Sequence, residues 1–513
     1  MTATVRTVAD LMTSPAVTAG PAETLEAAAR RMAEAGVGSV VVAEANRPVG
    51  ILTERDLLRA TAAGSAQDAV AVWMTPDPHC VGPDIEVAEA WKDLAAHGYR
   101  HIPVVVAGEL KGIVSMRDLM GVAQLRPVEG AFSDVPRGLK GVIVAETEIG
   151  EVRGLEGFYH YRQYSAVDIC THYGFEDAWA LLVDGHLPDA QEAESFRAEV
   201  APLRRLPDPV TEVLPAIART GLAAPVGAGS LDALRTAVSL LALAEGFGPS
   251  LDVTPDRLRA DGLRLGAAVP TLVAGLHRLT LGQAPIQPRE DLGHVANYLY
   301  MLHGVEPEPM ALRAVEAYMT STIEHGFNAS TFTARVVTST GADLGSAVVA
   351  ALGSLSGPLH GGAPSRALDT LDAIGTPERT EAWVRDAIAR GERIMGFGHP
   401  VYKTYDPRSA MLRDIAREMG GPLVDFAQQV EATILSTLVE LKPGHELHTN
   451  VEYYAGVVME LAGLDRSLFT PTFAAARVVG WCAHILEQAR DNRIIRPSAR
   501  YVGPPPPQAL PLG

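Results

Sequence analysis

Apolar and polar positions follow different patterns in the first quarter of the chain and in the rest. Up to about residue 122, short helical patterns are followed by pairs of apolar runs of strand length, such as Ser39–Val42 and Gly50–Thr53. From about Asp168 to Leu355 the apolar residues recur at helical spacing, and proline and glycine mark the breaks. The pattern therefore predicts an α/β region followed by an almost all-α region.

The second region carries few strand signals. Gly138–Thr147 (GLKGVIVAET) alternates like a strand, and such signals are nearly absent beyond residue 150. Residues 123–137 and the proline-rich residues 504–513 lack periodicity, so we expect a linker and an extended tail. The helix candidates are Phe175–Val183, Leu231–Ala244, Val295–Leu302, Ala311–Ile323 and Asp343–Leu355.

An internal repeat with an offset of 62 residues spans the first region. Five matches at one offset indicate a duplicated unit, with copies at about 5–62 and 67–122. Each copy is predicted to contain a helix (Glu26–Ala35 or Val87–Ala96), two strands and a second, short helix. The matches are Met12-Thr13 with Met74-Thr75, Gly20-Pro21 with Gly82-Pro83, Gly36 with Gly98, Gly50 with Gly112, and Asp56 with Asp118.

Each second strand of the repeat ends in a hydroxyl residue followed, three positions later, by a carboxylate. These pairs are Thr53 with Asp56, and Ser115 with Asp118. A carboxylate just inside a helix start accepts both hydroxyls of a ribose, and the hydroxyl residue and helix amides suit a phosphate. The alternative is that all four residues are only helix caps and first-turn acids.

The charge and cysteine content exclude several classes of protein. A formal net charge of −18 over 513 residues argues against nucleic acid and anionic membranes as partners. Cys80, Cys170 and Cys482 form no pair or framework, which fits a reducing compartment. We see no signal peptide, membrane span or metal-ligand set, so we expect a soluble cytoplasmic protein without a metal.

Two glycine-rich loops of the second region carry histidines. GPLHGGA contains His360, and IMGFGHPVYKTYDPR contains His399, Lys403 and Arg408. An imidazole, an ammonium and a guanidinium this close together predict a site for an anionic substrate. A lone histidine is more often a core or surface residue, but two such loops favour a functional site.

The repeated pattern G-h-h-[ST]-x-x-D, where h is apolar, resembles a tandem pair of CBS domains, also called a Bateman module. The resemblance covers residues 5–122, within an N-terminal domain of residues 1–122. It implies an adenosine-type ligand such as AMP, ADP or ATP in the cleft between the repeats, bound by Thr53, Asp56, Ser115 and Asp118. Many such modules serve only in dimerisation, which remains the alternative.

Six blocks of the second half, in this order and spacing, resemble the citrate synthase family: GLKGVIVAET, EHGFNASTFTARV, GPLHGGAPS, GFGHPVYKTYDPRS, NVEYYAG and the segment from Thr470. The resemblance implies a mainly α fold over residues 138–503. A small helical domain, at about 361–460, is expected to be inserted in a large one and to close over the substrate. The resemblance also implies a homodimer or a larger even-numbered homo-oligomer.

The resemblance assigns roles to eight residues. His360 matches the histidine that hydrogen-bonds the thioester carbonyl, and His399 the one that polarises the ketone of oxaloacetate. Glu452 stands at the position of the catalytic base. The remaining matches are His325, Arg408, Arg477 and Arg496 for oxaloacetate, with Arg496 supplied by the partner subunit, and Lys403 for coenzyme A phosphates.

Elementary chemistry requires the same groups. Proton abstraction beside a thioester needs a base on the carbon and a donor on the developing enolate oxygen, and a dicarboxylate suits fork-shaped guanidiniums. Two positions depart from the usual family pattern. Glu452 replaces an aspartate, and its extra methylene displaces the carboxylate by up to ~1.5 Å; Pro400 stands where arginine is common.

The expected function is condensation of acetyl-CoA with oxaloacetate to give citrate and coenzyme A, without a cofactor and with adenine nucleotides as effectors at the CBS pair. Three alternatives remain open at this point. These are 2-methylcitrate synthesis from propionyl-CoA, cleavage of citryl-CoA by the same residues in reverse, and a catalytically weak or silent nucleotide sensor.

Overall fold

A computed structural model describes residues 7–87, 89–90, 101–115, 118, 137–139, 142–222, 229–357, 360, 363–398, 402, 404–442, 447–499 and 501–503. The chain divides into two compact units, Met1–Ile143 and Val144–Gly513.

The first unit contains two small sheets. The strands β1 (Thr18–Ala19), β2 (Ser39–Glu44), β3 (Arg47–Thr53) and β4 (Thr75–Pro76) form one sheet in that order, and β5 (His101–Val106) pairs with β6 (Glu109–Ser115). The helices are α1 (Leu25–Ala35), α2 (Glu54–Ala62) and α3 (Val70–Trp73). These elements confirm the α/β prediction. Most of the helix predicted at Val87–Ala96, and the helix expected after Ser115, lie outside the described residues.

The two repeats are interlocked through their Met-Thr segments. Thr13 pairs with Ile113 of the second repeat, whereas Thr75 pairs with Ile51 of the first. Gly112 leaves room for the Met12 side chain, since a Cβ there would lie 2.9 Å from its Sδ. The matching glycine of the first repeat faces Met74 in the same way. The Met-Thr segment of each repeat therefore pairs with a strand of the other repeat.

The described part of the second unit is mainly helical and contains a three-stranded antiparallel sheet of β7 (Gly150–Arg153), β8 (Phe158–Tyr161) and β9 (Tyr164–Ser165). Its helices are α4 (Ala166–His172), α5 (Phe175–Asp184), α6 (Ala190–Val200), α7 (Asp208–Leu222), α8 (Gly229–Ala244), α9 (Pro255–Thr280), α10 (His294–His303), α11 (Pro309–Thr322), α12 (Ala329–Ser339), α13 (Leu344–Leu355), α14 (Ala363–Ile374), α15 (Thr380–Ala389), α16 (Pro407–Met419), α17 (Pro422–Leu441), α18 (Val451–Leu461) and α19 (Phe469–Arg490). All five helix candidates are confirmed within two residues at each end.

The strand predicted at 138–147 is wrong in the described residues. Residues 142–147 form no strand, and Ile143 is 87% exposed. Alternation is a local signal, and a strand also needs a partner backbone, which this segment lacks among the described residues. The sheet instead begins at Gly150, where Tyr159 and Tyr161 of β8 are buried and their hydroxyls donate to the carbonyls of Ser321 and Thr320.

Two long helices form the centre of the second unit. The middle of α9 and most of α19 are buried, and the two pack against each other. Both α11 and α12 pack against α19. Polar residues of α19 lie near the segment between α11 and α12. The N-termini of α16 and α18 lie close to each other. No helix among the described residues is long and apolar enough to cross a membrane.

Candidate active site

A buried ion pair joins the starts of α16 and α18. Asp406 caps α16 and binds the Arg408 side chain bidentately, with Nε 3.0 Å and Nη2 2.9 Å from its two oxygens. The backbone N–H of Val451, the first residue of α18, donates to the same carboxylate at 3.0 Å. Both charged side chains are at most 3% exposed. Asp406 raises the pKa of the Arg408 guanidinium against the effect of burial, so the arginine stays charged.

We expect the Asp406→Ala substitution to lower the free energy of unfolding by about 3–5 kcal/mol, because it leaves the Arg408 charge buried without its partner. The matched control is Asp414→Ala on the same helix. Asp414 pairs with Arg417 at 3.1 Å, but both side chains are more than half exposed, so a loss of at most about 1 kcal/mol is expected. Urea denaturation of the two variants measures the difference. Equal losses would show that the buried pair contributes no more to the free energy of unfolding than the exposed pair does.

The loop that precedes His399 is fastened to the segment that precedes Glu452. Gly398 N–H donates to the carbonyl of His448 at 2.8 Å, and Asn450 N–H donates to the carbonyl of Gly396 at 2.9 Å. Asn450 also donates its side-chain amide to the Gly398 carbonyl at 2.9 Å. The two predicted catalytic segments are therefore neighbours, although His399 and Lys403 themselves lie outside the described residues.

Gly396 permits this pairing. Its φ of +87° favours glycine, and a Cβ there would lie 2.9 Å from the Tyr453 ring. Any larger residue would push the loop away from α18.

Glu452 occupies the first turn of α18, and its side chain is half-buried. Its backbone N–H donates to the side chain of Asn450, the helix cap, at 3.1 Å. Burial, and secondly the Glu452 carboxylate, raise the pKa of the Tyr318 hydroxyl, while Arg477 and Arg408 act in the opposite direction. Glu452, Arg477 and Arg408 therefore all lie within electrostatic range of the Tyr318 hydroxyl.

Arg477 lies in the middle of α19 and is 2% exposed. Its Nε donates to the carbonyl of Thr322 at 2.7 Å, and its guanidinium lies 4.6 Å from the centre of the Phe473 ring. Burial lowers the pKa of this guanidinium, and the nearby charge of Glu324 raises it. Among the described residues, no carboxylate lies within ion-pair distance of Arg477, so a buried cation is left without a bonded anion.

His325 follows α11 and contacts two tyrosines. Its Nε2 lies 3.0 Å from the hydroxyl of Tyr402, and its ring lies 5.5 Å from that of Tyr159, centre to centre. The Arg408 guanidinium lies 5.8 Å from the centres of both tyrosine rings. These contacts connect His325 with Arg408, as expected for two residues of one binding site.

His360 has a defined protonation state. Its Nε2 accepts the backbone N–H of Ser330 at 3.3 Å and lies 2.8 Å from the Ser330 hydroxyl. Burial, and secondly the charge of Arg477, lower the pKa of the imidazole to about 4. The ring is therefore neutral at pH 7, and because Nε2 accepts, the proton resides on Nδ1. A neutral imidazole with Nδ1–H is a donor for a developing oxyanion.

A buried polar network that sequence reasoning missed lies beside these residues. Nε and Nη2 of Arg335 donate to Nδ1 of His484 at 3.1 and 2.9 Å, and Arg335 also pairs with Glu487. His484 Nε2 contacts a Glu324 oxygen at 3.2 Å without the alignment of a hydrogen bond. Burial raises the pKa of Glu324, but His484 and Arg477 lower it, and the net shift is downward. The position of Glu324 immediately before His325 was the available sequence signal.

Arg496 is not brought to this site within one chain. It lies in the irregular segment after α19 and is exposed. The structure thus groups His325, His360, Arg408, Arg477 and Glu452, and leaves Arg496 outside the group.

The predicted nucleotide residues of the first unit form two hydroxyl–carboxylate pairs with the same hydrogen bonds. Thr53 donates its backbone N–H and its hydroxyl to Asp56 at 2.9 and 2.7 Å. Ser115 and Asp118 make the same two bonds at 2.9 and 2.6 Å. Thr53 and Asp56 therefore cap α2, and the bonds between Ser115 and Asp118 follow the same pattern.

Two known protein families match different parts of the chain. The profile of the family "Citrate synthase, C-terminal domain" matches residues 138–498. The CBS domain profile matches twice, at 8–63 and 68–124.

Relatives and solved structures cover the second part. Citrate synthase of Deinococcus radiodurans is 38% identical over 374 residues, which is 72% of this chain and 97% of the relative. Citrate synthase 2 of Bacillus subtilis is 36% identical over 377 residues, 73% of this chain and 98% of the relative.

Two solved structures are similar over 73% of this chain and 98% of their own. Citrate synthase from Thermotoga maritima has a TM-score of 0.63 at 35% identity. The ternary complex of carboxymethyl coenzyme A and oxaloacetate with citrate synthase from the archaeon Thermoplasma acidophilum has a TM-score of 0.67 at 28% identity. The chain belongs to the citrate synthase family of acyltransferases and carries two CBS domains before the catalytic region.

Proposed function

We propose that the chain condenses acetyl-CoA with oxaloacetate and water to give citrate and free coenzyme A. The observation that carries the proposal is Arg477, a buried guanidinium that binds no carboxylate among the described residues. It lies within electrostatic range of Arg408, His360 and Tyr318, and Tyr318 is also within range of Glu452. A dianionic substrate supplies the missing negative charge, and planar guanidiniums bind its carboxylates bidentately. The Thermoplasma relative, solved with oxaloacetate and a coenzyme A analogue, supports this choice of substrates.

Glu452 is the proposed base. Its carboxylate removes a proton from the methyl group of acetyl-CoA, while the Nδ1–H of His360 donates to the thioester oxygen on which charge develops. The resulting enol carbon attacks the ketone carbon of oxaloacetate, and His399 donates to the ketone oxygen. Water then hydrolyses the citryl thioester, which releases citrate and the coenzyme A thiol.

Arg408 and Arg477 are proposed to hold the two carboxylates, His325 a further oxaloacetate oxygen, and Lys403 the coenzyme A phosphates. Arg496 of the partner subunit is proposed to complete the clamp in a homodimer. The small domain at about 361–460 is proposed to close over the substrates and exclude water until the carbon–carbon bond has formed.

A comparison of acetyl-CoA with propionyl-CoA tests which acyl group the enzyme prefers. We expect kcat/KM for acetyl-CoA to exceed that for propionyl-CoA by about 10- to 100-fold, because one additional methylene in a closed apolar pocket changes the barrier by about 1–3 kcal/mol. Steady-state release of the coenzyme A thiol at saturating oxaloacetate measures both values. A preference for propionyl-CoA would contradict the proposal and identify 2-methylcitrate as the product.

The CBS pair is proposed to bind adenine nucleotides and to regulate this reaction. The hydroxyl–carboxylate pairs at the ends of β3 and β6 support that proposal, because ribose hydroxyls donate to carboxylates at helix starts.

A further inference from the structure

One buried carboxylate of α17 binds residues on both sides of Glu452. Glu431 accepts the hydroxyl of Thr449, three positions before Glu452, at 2.6 Å. Its other oxygen accepts the hydroxyl of Tyr454, two positions after Glu452. All three bonded side chains are buried. The stretch of backbone that carries Glu452 is therefore held at both ends by one side chain of a neighbouring helix.

The chemistry of these two bonds makes them strong. Because both partners donate, Glu431 accepts through both oxygens, as an ionised carboxylate does. Hydrogen bonds to an ionised group are roughly twice as strong as bonds between neutral groups. Burial, and secondly the bond to Glu431, raise the pKa of the Tyr454 hydroxyl, so Tyr454 remains a donor at neutral pH.

The start of α18 has anchors of its own. Asn450 caps the helix, and the backbone N–H of Val451 donates to Asp406 at 3.0 Å. These bonds hold the helix terminus, whereas the two bonds of Glu431 hold the first turn against α17. A displacement of about 1 Å can cost about 100-fold in rate, so the position of this turn matters for a base that it carries.

We infer that Glu431 is a positioning residue for the base. Through Thr449 and Tyr454 it holds the first turn of α18 where the Glu452 carboxylate reaches the methyl group of acetyl-CoA. The inference rests on the proposed function, in which Glu452 is the base. It adds a residue that acts through Glu452 and not on the substrate.

Three variants remove these bonds with little change in shape: Glu431→Gln, Thr449→Val and Tyr454→Phe. Glutamine offers one acceptor to two hydroxyls, so Glu431→Gln is expected to lower kcat for coenzyme A release by about 10- to 100-fold, and each other variant by about 3- to 10-fold. The KM for oxaloacetate is expected to change by less than about twofold, because the proposed arginine clamp keeps its contacts.

The matched control is Thr437→Val. It removes another buried hydroxyl of α17, which donates to the carbonyl of Thr433 within the same helix at 2.7 Å. Its replacement is expected to change kcat by less than about twofold, because this bond does not reach α18.

The Glu452→Gln background separates positioning of the base from a general loss of structure. A base that is absent cannot be misplaced, so adding Glu431→Gln is expected to lower the residual kcat of Glu452→Gln by less than about twofold. The residual rates are measured at high enzyme concentration, and thermal melting verifies that each variant is folded. If Glu431→Gln does not fold, Tyr454→Phe is combined with Glu452→Gln in its place.

Each contrary result has a distinct meaning. An unchanged kcat in Tyr454→Phe and in Thr449→Val would overturn the inference while leaving the proposed function intact. A further loss of about 10-fold in the Glu452→Gln background would also overturn it, because that loss would not act through the base. No coenzyme A release by the wild type would overturn the proposed function and the inference together.

Discussion

Replacing Glu452 by glutamine is expected to lower kcat for condensation by about 10³-fold, with the KM for oxaloacetate changed by less than about threefold. Glutamine has nearly the same shape but cannot take up the methyl proton, and a positioned general base is typically worth 10²–10⁴-fold in rate. Oxaloacetate binding is retained because the proposed clamp consists of the arginines and His325, and not of this carboxylate.

The Glu452→Asp variant tests the geometry of the base. Aspartate is the residue that the resemblance places here, but the backbone of this chain positions a side chain longer by one methylene. Because a misplacement of about 1 Å can cost about 100-fold in rate, we expect Glu452→Asp to fall between the wild type and Glu452→Gln. Activity equal to that of the wild type would show that the site accommodates either length.

The control for both variants is Glu460→Gln. Glu460 lies at the far end of the same helix and pairs with Arg466 at 3.1 Å. Its replacement is expected to change kcat by less than twofold. If Glu452→Gln retained more than a tenth of the wild-type kcat, the assignment of the base would be refuted.

The second large effect is expected at His360. Replacing it by glutamine should lower kcat by about 10²–10³-fold, as the loss of one donor to a developing oxyanion typically does. The Asn variant is expected to retain about ten times more activity than the Gln variant. The side-chain amide of asparagine lies near the position of Nδ1, whereas that of glutamine lies near Nε2, and the Ser330 N–H that points at Nε2 favours the proton on Nδ1.

Pre-steady-state measurement of the condensation step in the two variants separates an effect on catalysis from an effect on substrate binding. Higher activity in His360→Gln than in His360→Asn would show that Nε2 is the donor, against the hydrogen bond from Ser330. The wild-type rate should also show no dependence on the protonation of His360 between pH 5 and 8. The reason is that burial lowers the pKa of this imidazole to about 4, below that range.

The helical part of the fold was predictable because its signals are local. Helices such as α5 and α13 show apolar residues at helical spacing between glycine, proline or capping residues, and their ends were found within two residues. The sheet at Gly150 was missed because β7 and β8 have only four residues each, and polar side chains such as Glu151 and His160 interrupt the apolar pattern.

The identities of the candidate site residues were predictable, but their electrostatics were not. A sequence pattern points to Arg408 and Arg477 equally. Only the folded chain shows that Arg408 is already paired with Asp406, whereas Arg477 has no such partner among the described residues. Likewise, Arg335 and His484 are 149 positions apart in the chain, so no local pattern could have revealed that they bind each other.

The repeat in the first unit illustrates the same distinction. Its offset located both hydroxyl–carboxylate pairs, Thr53 with Asp56 and Ser115 with Asp118. The two pairs looked equivalent in the sequence because the repeat was defined only by positions at which its two copies are identical. The bond from Arg59 to Asp56 lies outside those positions, since the residue 62 places after Arg59 is Gly121.

Release of coenzyme A by the purified full-length protein tests the central claim most directly. With acetyl-CoA and oxaloacetate both present, we predict thiol release at a rate that depends on both substrates, with one citrate formed for each thiol. With either substrate alone, no release above the rate of uncatalysed hydrolysis is expected. Absence of thiol release from acetyl-CoA and from propionyl-CoA at saturating oxaloacetate would contradict the proposed function and leave a catalytically silent member of the family.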